Sequence, residues 1–176
     1  MKHPPHSVKT QGSIVNYEEL FTIIKNRNGQ MHSVLFAASS LNDLPVNIPI
    51  NVAVRLAKNH TCLLIDLDLK RNAVARVFDL EMMDMKSGSY ATPLENLFIW
   101  PARNFEKLRQ MNLRSLLDGA VKKYDYVLIY APYLTTLPDR RQVASCSRHA
   151  IAFTGRNGST LMQLLEQCSC KVVHQI

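Results

Sequence analysis

Asp66 and Asp68 stand two residues apart at the end of the apolar run Thr61-Cys-Leu-Leu-Ile-Asp66, and Lys70 and Arg71 follow directly. Carboxylates so placed are costly to bury unless a cation or several donors meet them. Two chemistries suit them: a metal-water site, or an ion pair with Lys70, Arg71 or another basic residue. Ser39 and Ser40 follow another apolar run, but no His and acid are arranged to activate either as a nucleophile. Cys168, Cys170 and His174 are three conceivable metal ligands, yet zinc sites usually bring two spaced pairs. Reduced, unligated thiols are therefore expected, and the single-residue spacing of Cys168 and Cys170 disfavours a disulfide between them. His60, His149 and His174 have no partner at catalytic spacing, and Met82, Met83 and Met85 read as loop packing.

The elements that must position these residues alternate strand and helix. Ser33–Ala38, Thr61–Asp66 and Tyr126–Tyr130 are near-continuous apolar runs, the pattern of strands covered on both faces. Leu97–Trp100, Ala150–Thr154 and Lys171–Gln175 are shorter candidates. Tyr17–Asn26, Asn47–Asn59, Asn104–Lys123, Leu137–Ser147 and Ser159–Gln167 read as helices, long enough for crossovers between parallel strands. The predicted fold is α/β, a mostly parallel sheet flanked by helices on both faces. Residues 1–13 read as a loose tail, residues 14–176 as one domain, and Met82–Asn96 as a surface loop. Ligands of such sheets lie at the carboxyl ends of strands, which directs attention to Ser39–Asn47, Asp66–Arg71 and Tyr130–Tyr133.

Composition narrows the partner classes. The 176 residues are 47% apolar and 20% charged, which excludes a disordered or fibrous chain. No apolar run reaches the roughly 18–20 residues of a bilayer span, and Met1-Lys-His-Pro-Pro-His lacks the apolar core of a secretory signal. A cytoplasmic location is expected, or a peripheral one at the inner membrane through a partner. The net charge of +7 is scattered over small groups such as Lys122-Lys123 and Arg140-Arg141 without interleaved aromatics, which argues against nucleic acid.

Read in order, several segments resemble the bacterial tyrosine kinases of capsule and exopolysaccharide export, within the deviant P-loop ATPases of MinD and ParA type. Leu63-Leu-Ile-Asp-Leu-Asp-Leu-Lys-Arg71 is similar to the family's strand followed by Asp-x-Asp-x-Arg, and Val77-Phe-Asp-Leu80 to the short piece after it. Leu97-Phe-Ile-Trp-Pro-Ala102 resembles the strand and Pro-Ala step after the middle segment. Lys123-Tyr-Asp-Tyr-Val-Leu-Ile-Tyr-Ala-Pro132 resembles the Walker B strand. The resemblance runs from about Tyr17 to the end of the chain and implies a P-loop NTPase-like domain.

It also exposes departures. Aligning Asn51-Val-Ala-x-x-Leu-Ala57 with the family's Asn-Leu-Ala-x-x-Leu-Ala places Ser39-Ser-Leu-Asn-Asp-Leu-Pro-Val-Asn47 on the phosphate loop without gaps. A phosphate cradle needs glycines for close backbone approach, a Lys for the β and γ phosphates and a hydroxyl for magnesium. Asn42 and Leu44 stand at the glycine positions, Pro45 at the Lys, Val46 at the hydroxyl and Tyr130 at the Walker B Asp. Asp66 and Asp68 remain, and with Asp43 they predict a locally negative pocket that repels a triphosphate. Ser40 replaces the early loop Lys of the ParA and MinD types, and Thr22 and Lys25 replace two arginines of the kinases' assembly helix, leaving self-assembly open. The carboxyl-terminal tyrosine cluster is absent, since all six Tyr lie at or before residue 133.

The resemblance thus implies a catalytically silent relative that binds another protein, such as a membrane-embedded polysaccharide chain-length regulator or an active kinase homologue, with no cofactor expected. One alternative is a divergent ATP-binding kinase or ATPase holding ATP and Mg through Asp66 and Asp68. A second is a ParA- or MinD-like protein acting on DNA or membrane.

Overall fold

The computed structural model describes residues 8–10, 13–26, 31–80, 88–102, 110, 112–156 and 158–176. Nine strands and six helices alternate along them: β1 (Val8–Thr10), β2 (Ser13–Val15), α1 (Tyr17–Lys25), β3 (Ser33–Ala38), α2 (Asn47–Ala57), β4 (Cys62–Asp66), α3 (Ala73–Val77), β5 (Tyr90–Ala91), β6 (Leu97–Trp100), α4 (Leu113–Lys123), β7 (Tyr126–Ala131), α5 (Arg140–Cys146), β8 (His149–Phe153), α6 (Gly158–Gln167) and β9 (Lys171–Gln175). A 3-10 turn, Leu134–Thr136, links β7 to α5.

Seven strands form one sheet in the order β5-β6-β4-β7-β3-β8-β9. All its pairings are parallel except β5 with β6. β3 and β7 lie at the centre, where strands buried on both faces must be apolar throughout, and both carry that pattern. Side chains alternate between the two faces. Val34, Phe36 and Ala38 point into a core shared with Leu20 and Ile24 of α1 and Val52 and Leu56 of α2. Leu35 and Ala37 point into the other core, with Leu117 of α4, Val143 of α5 and Leu161 of α6. Full burial of a large apolar side chain such as Phe36 contributes roughly 1.5–3 kcal/mol.

Local chemistry sets the helix starts. The Asn16 side chain accepts from the Glu18 N–H at 3.0 Å, Glu18 and Glu19 occupy the first turn of α1 and Lys25 the last, all favourable to the helix dipole. At the amino-terminal edge of the sheet, Asp125 Oδ2 accepts from the Thr61 N–H (2.7 Å) and hydroxyl (2.9 Å), and Thr61 Oγ1 accepts from the Asp125 N–H (3.0 Å). This clasp ties the entries of β4 and β7.

The structure departs from the sequence reading at short elements. Val8–Thr10, inside the stretch 1–13 read as a loose tail, pairs antiparallel with Ser13–Val15 at its end. Tyr90–Ala91 forms a strand inside the predicted loop Met82–Asn96, whose residues 82–87 lie outside the described set. The helix predicted over Asn104–Lys123 begins only at Leu113, because Asn112 turns its side chain onto the Ser115 N–H at 3.0 Å; residues 104–109 lie outside the described set. Leu137, which precedes Pro138, is extended (ψ 138°), and the helix predicted over Leu137–Ser147 runs over Arg140–Cys146. No helix among the described residues is long and apolar enough to cross a membrane.

Candidate functional site

β3 and β4 both run parallel to β7, so the loops leaving their carboxyl ends are neighbours. The register sets Phe36 and Asp66 on either side of Tyr130. All three strand-end stretches marked in the sequence meet here.

Asp66, the last residue of β4, is fully buried. Its Oδ1 accepts from the Asp68 N–H at 2.8 Å and its Oδ2 from the Val74 N–H at 2.9 Å. The second bond caps α3, a service that Asn72, at the cap position with a left-handed φ of 51°, does not perform with its own side chain. Asn72 Oδ1 instead accepts from the Ala102 N–H at 3.1 Å, tying this turn to the end of β6. Burial pushes the Asp66 carboxyl up to about 7, against the opposite pull of those two backbone N–H groups.

Asp68 is also fully buried, and both its oxygens have donors. The Tyr133 hydroxyl (2.5 Å) and the Arg71 N–H (3.1 Å) donate to Oδ1, and the Arg71 Nε donates to Oδ2 at 2.6 Å. Charge-assisted bonds of this length are the strong kind. Tyr133 in turn accepts from the Lys70 N–H at 3.1 Å, and the Lys70 ammonium lies 5.2 Å from the centre of its ring. The far end of the Arg71 guanidinium, Nη2, donates to the Tyr130 hydroxyl at 3.4 Å. Tyr130, wholly buried, donates to the Leu44 carbonyl at 3.3 Å. Burial, with the Asp68 charge close by, pushes the phenols of Tyr130 and Tyr133 above their ordinary range, so both stay neutral donors.

The loop after β3 folds on itself. The Ser40 hydroxyl donates to Asp43 Oδ2 at 2.7 Å, and the Asp43 N–H bonds the Ser40 carbonyl at 3.2 Å. The Asp43 carboxylate rests against Gly155, where an added Cβ would lie 2.0 Å from Oδ1. Leu44 is buried, and Ser39 nearly so; Asn42 is exposed; Pro45 and Val46 are half-buried; Asn47 opens α2. The α2 start has no side-chain cap, and the Ile48 N–H turns back onto the Pro45 carbonyl at 3.1 Å.

The predicted site residues thus separate into two groups. Asp68 and Tyr130 join one network through Arg71 and the Leu44 carbonyl, while Ser40 and Asp43 pair with each other. The three carboxylates read as a negative pocket do not act as one: Arg71 offsets Asp68, Asp66 faces backbone donors, and Asp43 faces a hydroxyl. Of the chemistries open to the Asp pair, the ion pair is formed by Asp68 with Arg71. Tyr133 and Gly155 were not singled out by the sequence, although Tyr133 ends one of the marked strand-end stretches. No three His, Cys, Asp or Glu gather at metal-ligand geometry among the described residues, Cys168, Cys170 and His174 included. Burial pushes the thiols of Cys146 and Cys170 up to about 12, well away from reactive thiolates.

A mostly parallel sheet with helices on both faces and its loops gathered at the strand ends gives this chain the P-loop NTPase-like fold of solved bacterial tyrosine kinase domains and MinD proteins. The kinase domain of the Escherichia coli tyrosine kinase ETK superimposes with a TM-score of 0.72 at 15% identity, over 99% of this chain and 81% of that one. The VpsO kinase domain gives 0.70 at 18%, over 89% and 90%. The septum site-determining protein MinD from Pyrococcus horikoshii, complexed with Mg-ADP, gives 0.67 at 18%, over 83% and 69%. No family model matches the chain, and no curated protein matches its sequence.

Proposed function

We propose that this chain is a catalytically silent relative of the bacterial tyrosine kinases that keeps their α/β scaffold and acts by binding another protein. The observation that carries the reading is the Arg71 guanidinium lying between Asp68 and Tyr130, with Tyr130 tied to the Leu44 carbonyl. Phosphoryl transfer rests on positioning and charge neutralisation. Here an internal cation already neutralises Asp68, and a neutral phenol stands where a carboxylate would hold magnesium. Pro45 offers neither ammonium nor N–H to a phosphate, and Val46 offers no hydroxyl. These residues do not fit a triphosphate and its metal, so no cofactor is assigned. The setting is polysaccharide synthesis or export, and the partner a membrane-embedded chain-length regulator or an active kinase homologue, with the chain cytoplasmic or held at the inner membrane by that partner.

Titration of the purified protein with ATP and magnesium tests the reading: no saturable heat or shift is expected up to millimolar concentration, and micromolar binding overturns it. The retained pair Asp66 and Asp68 favours one competitor, a divergent ATP-binding kinase or ATPase. That reading requires a measurable hydrolysis or autophosphorylation that Asp66→Asn abolishes.

A further inference from the structure

At the opposite edge of the sheet, below the entries of β3 and β8, lies a cleft of about 240 Å³. Its wall is one stripe of α4, in which Arg114, Leu117, Asp118 and Val121 recur at helical spacing. Its floor and rim bring Arg148 and His149 from the start of β8, and His32 from the residue before β3. Two arginines and two histidines therefore line one small space together with a single carboxylate residue, Asp118.

These donors are held to different degrees. Arg114 Nη1 donates to the Ser145 carbonyl at 3.1 Å, and its Nε lies 3.5 Å from Asp118 Oδ1, so the guanidinium is fixed at two points and Asp118 is already engaged. His32 Nδ1 lies 3.3 Å from the Asp125 carbonyl and donates to it, which leaves Nε2 as the other ring nitrogen. The Arg148 side chain has no ion pair or hydrogen-bond partner among the described residues. The cleft thus pairs an anchored guanidinium with one whose donors are unclaimed.

We infer that this cleft binds a single phosphate group. The Arg148 fork and the Arg114 N–H groups not spent on Ser145 and Asp118 still supply more donors than the two oxygens of a carboxylate can take up, and a tetrahedral phosphate with three or four oxygens matches them better. The volume is below the roughly 300–1,000 Å³ of sites for drug-sized ligands, which suits one phosphoryl group and excludes a nucleotide enclosed in the cleft. This site lies across the sheet from Asp68 and Arg71 and does not depend on the reading given to them.

The test is an NMR titration of the full chain with three probes: inorganic phosphate, methyl phosphate and acetate. Saturable shifts of His32, Arg114, Arg148 and His149 with phosphate are expected, about tenfold weaker binding in Arg148→Ala, and weaker binding still by acetate. Methyl phosphate binding as well as inorganic phosphate identifies a phosphomonoester as ligand; a preference for inorganic phosphate identifies the free ion. Arg148 is exposed and its side chain unpaired, so the variant is expected to fold, and an unchanged melting curve without phosphate checks this. Unsaturable shifts, equal binding by Arg148→Ala, or shifts confined to Arg71 and its neighbours overturn the assignment.

Discussion

The Tyr130 hydroxyl and the Leu44 carbonyl meet at 3.3 Å across 86 residues of chain, and this bond fastens the loop after β3 to the end of β7. It makes the buried phenol a strut between those two elements.

Tyr130→Phe removes the strut while keeping the ring. The Leu44 carbonyl loses its donor and Arg71 Nη2 its acceptor, so the domain is expected to lose about 1–2 kcal/mol, read as a lower urea midpoint at unchanged slope. An unchanged midpoint shows that water replaces the hydroxyl and the strut carries no weight.

Arg71→Ala strips Asp68 of its cation and leaves it the Tyr133 hydroxyl and the backbone N–H of residue 71. Loss of a partner from a fully buried pair costs about 3–5 kcal/mol, but the Arg71 side chain is 43% exposed, so a cost of roughly 1–3 kcal/mol is expected. Millimolar magnesium should return part of that stability to the variant and none to the wild type, as followed by thermal melting. Equal stabilisation of both proteins shows that Arg71 does not keep a cation from Asp68.

Two aspartates give stability opposite slopes with pH. The native carboxyl of Asp66, at about 7, lies above its unfolded value near 4, so the native state binds the extra proton between them. Its contribution is fully present below about pH 4 and is lost as pH rises to about 7, at a slope of up to about 1.4 kcal/mol per unit. Asp125 is the reverse: the Thr61 N–H and hydroxyl hold it below the usual carboxylate range, so its contribution is present above about pH 4 and lost as pH falls. Denaturant unfolding from pH 3 to 8 reads both. Asp66→Asn should flatten the limb between 4 and 7, and Asp125→Asn only the acid limb.

Gly155→Ala drives a methyl group into the Asp43 carboxylate. The obstructing atoms end a short side chain that can rotate, so the expected cost is the low end of overpacking, about 1 kcal/mol, with loss of the Ser40 to Asp43 bond. Combining it with Asp43→Ala should abolish the Gly155→Ala penalty in a double-mutant cycle; additive costs refute the clash.

The central strands were legible because β3, β4 and β7 are buried on both faces and must be apolar without interruption. β5 and the β1-β2 ribbon span two or three residues each, too short for any period to register. The start of α4 was misplaced because one side chain, Asn112, decides it while the apolar pattern does not. At the site, position was readable and partnership was not. Strand-end logic marked Asp66–Arg71 and Tyr130–Tyr133, and the pairing of Asp68 with Arg71 stood among the readings left open. The bond from Tyr133 to Asp68 spans 65 residues and depends on two loops packing together, which no local spacing encodes. Gly155 escaped notice for a similar reason, since its need for no side chain is imposed by Asp43, more than a hundred residues earlier.

The network of Leu44, Asp68, Arg71, Tyr130 and Tyr133 joins three strand ends that come together only when the sheet is nearly complete. Closing such long loops precedes any gain from the contacts, so these bonds form on the native side of the folding barrier. Substitutions in the network therefore act on the rate at which the sheet comes apart and leave refolding nearly unchanged. By this reasoning the network serves as a kinetic latch on the folded state.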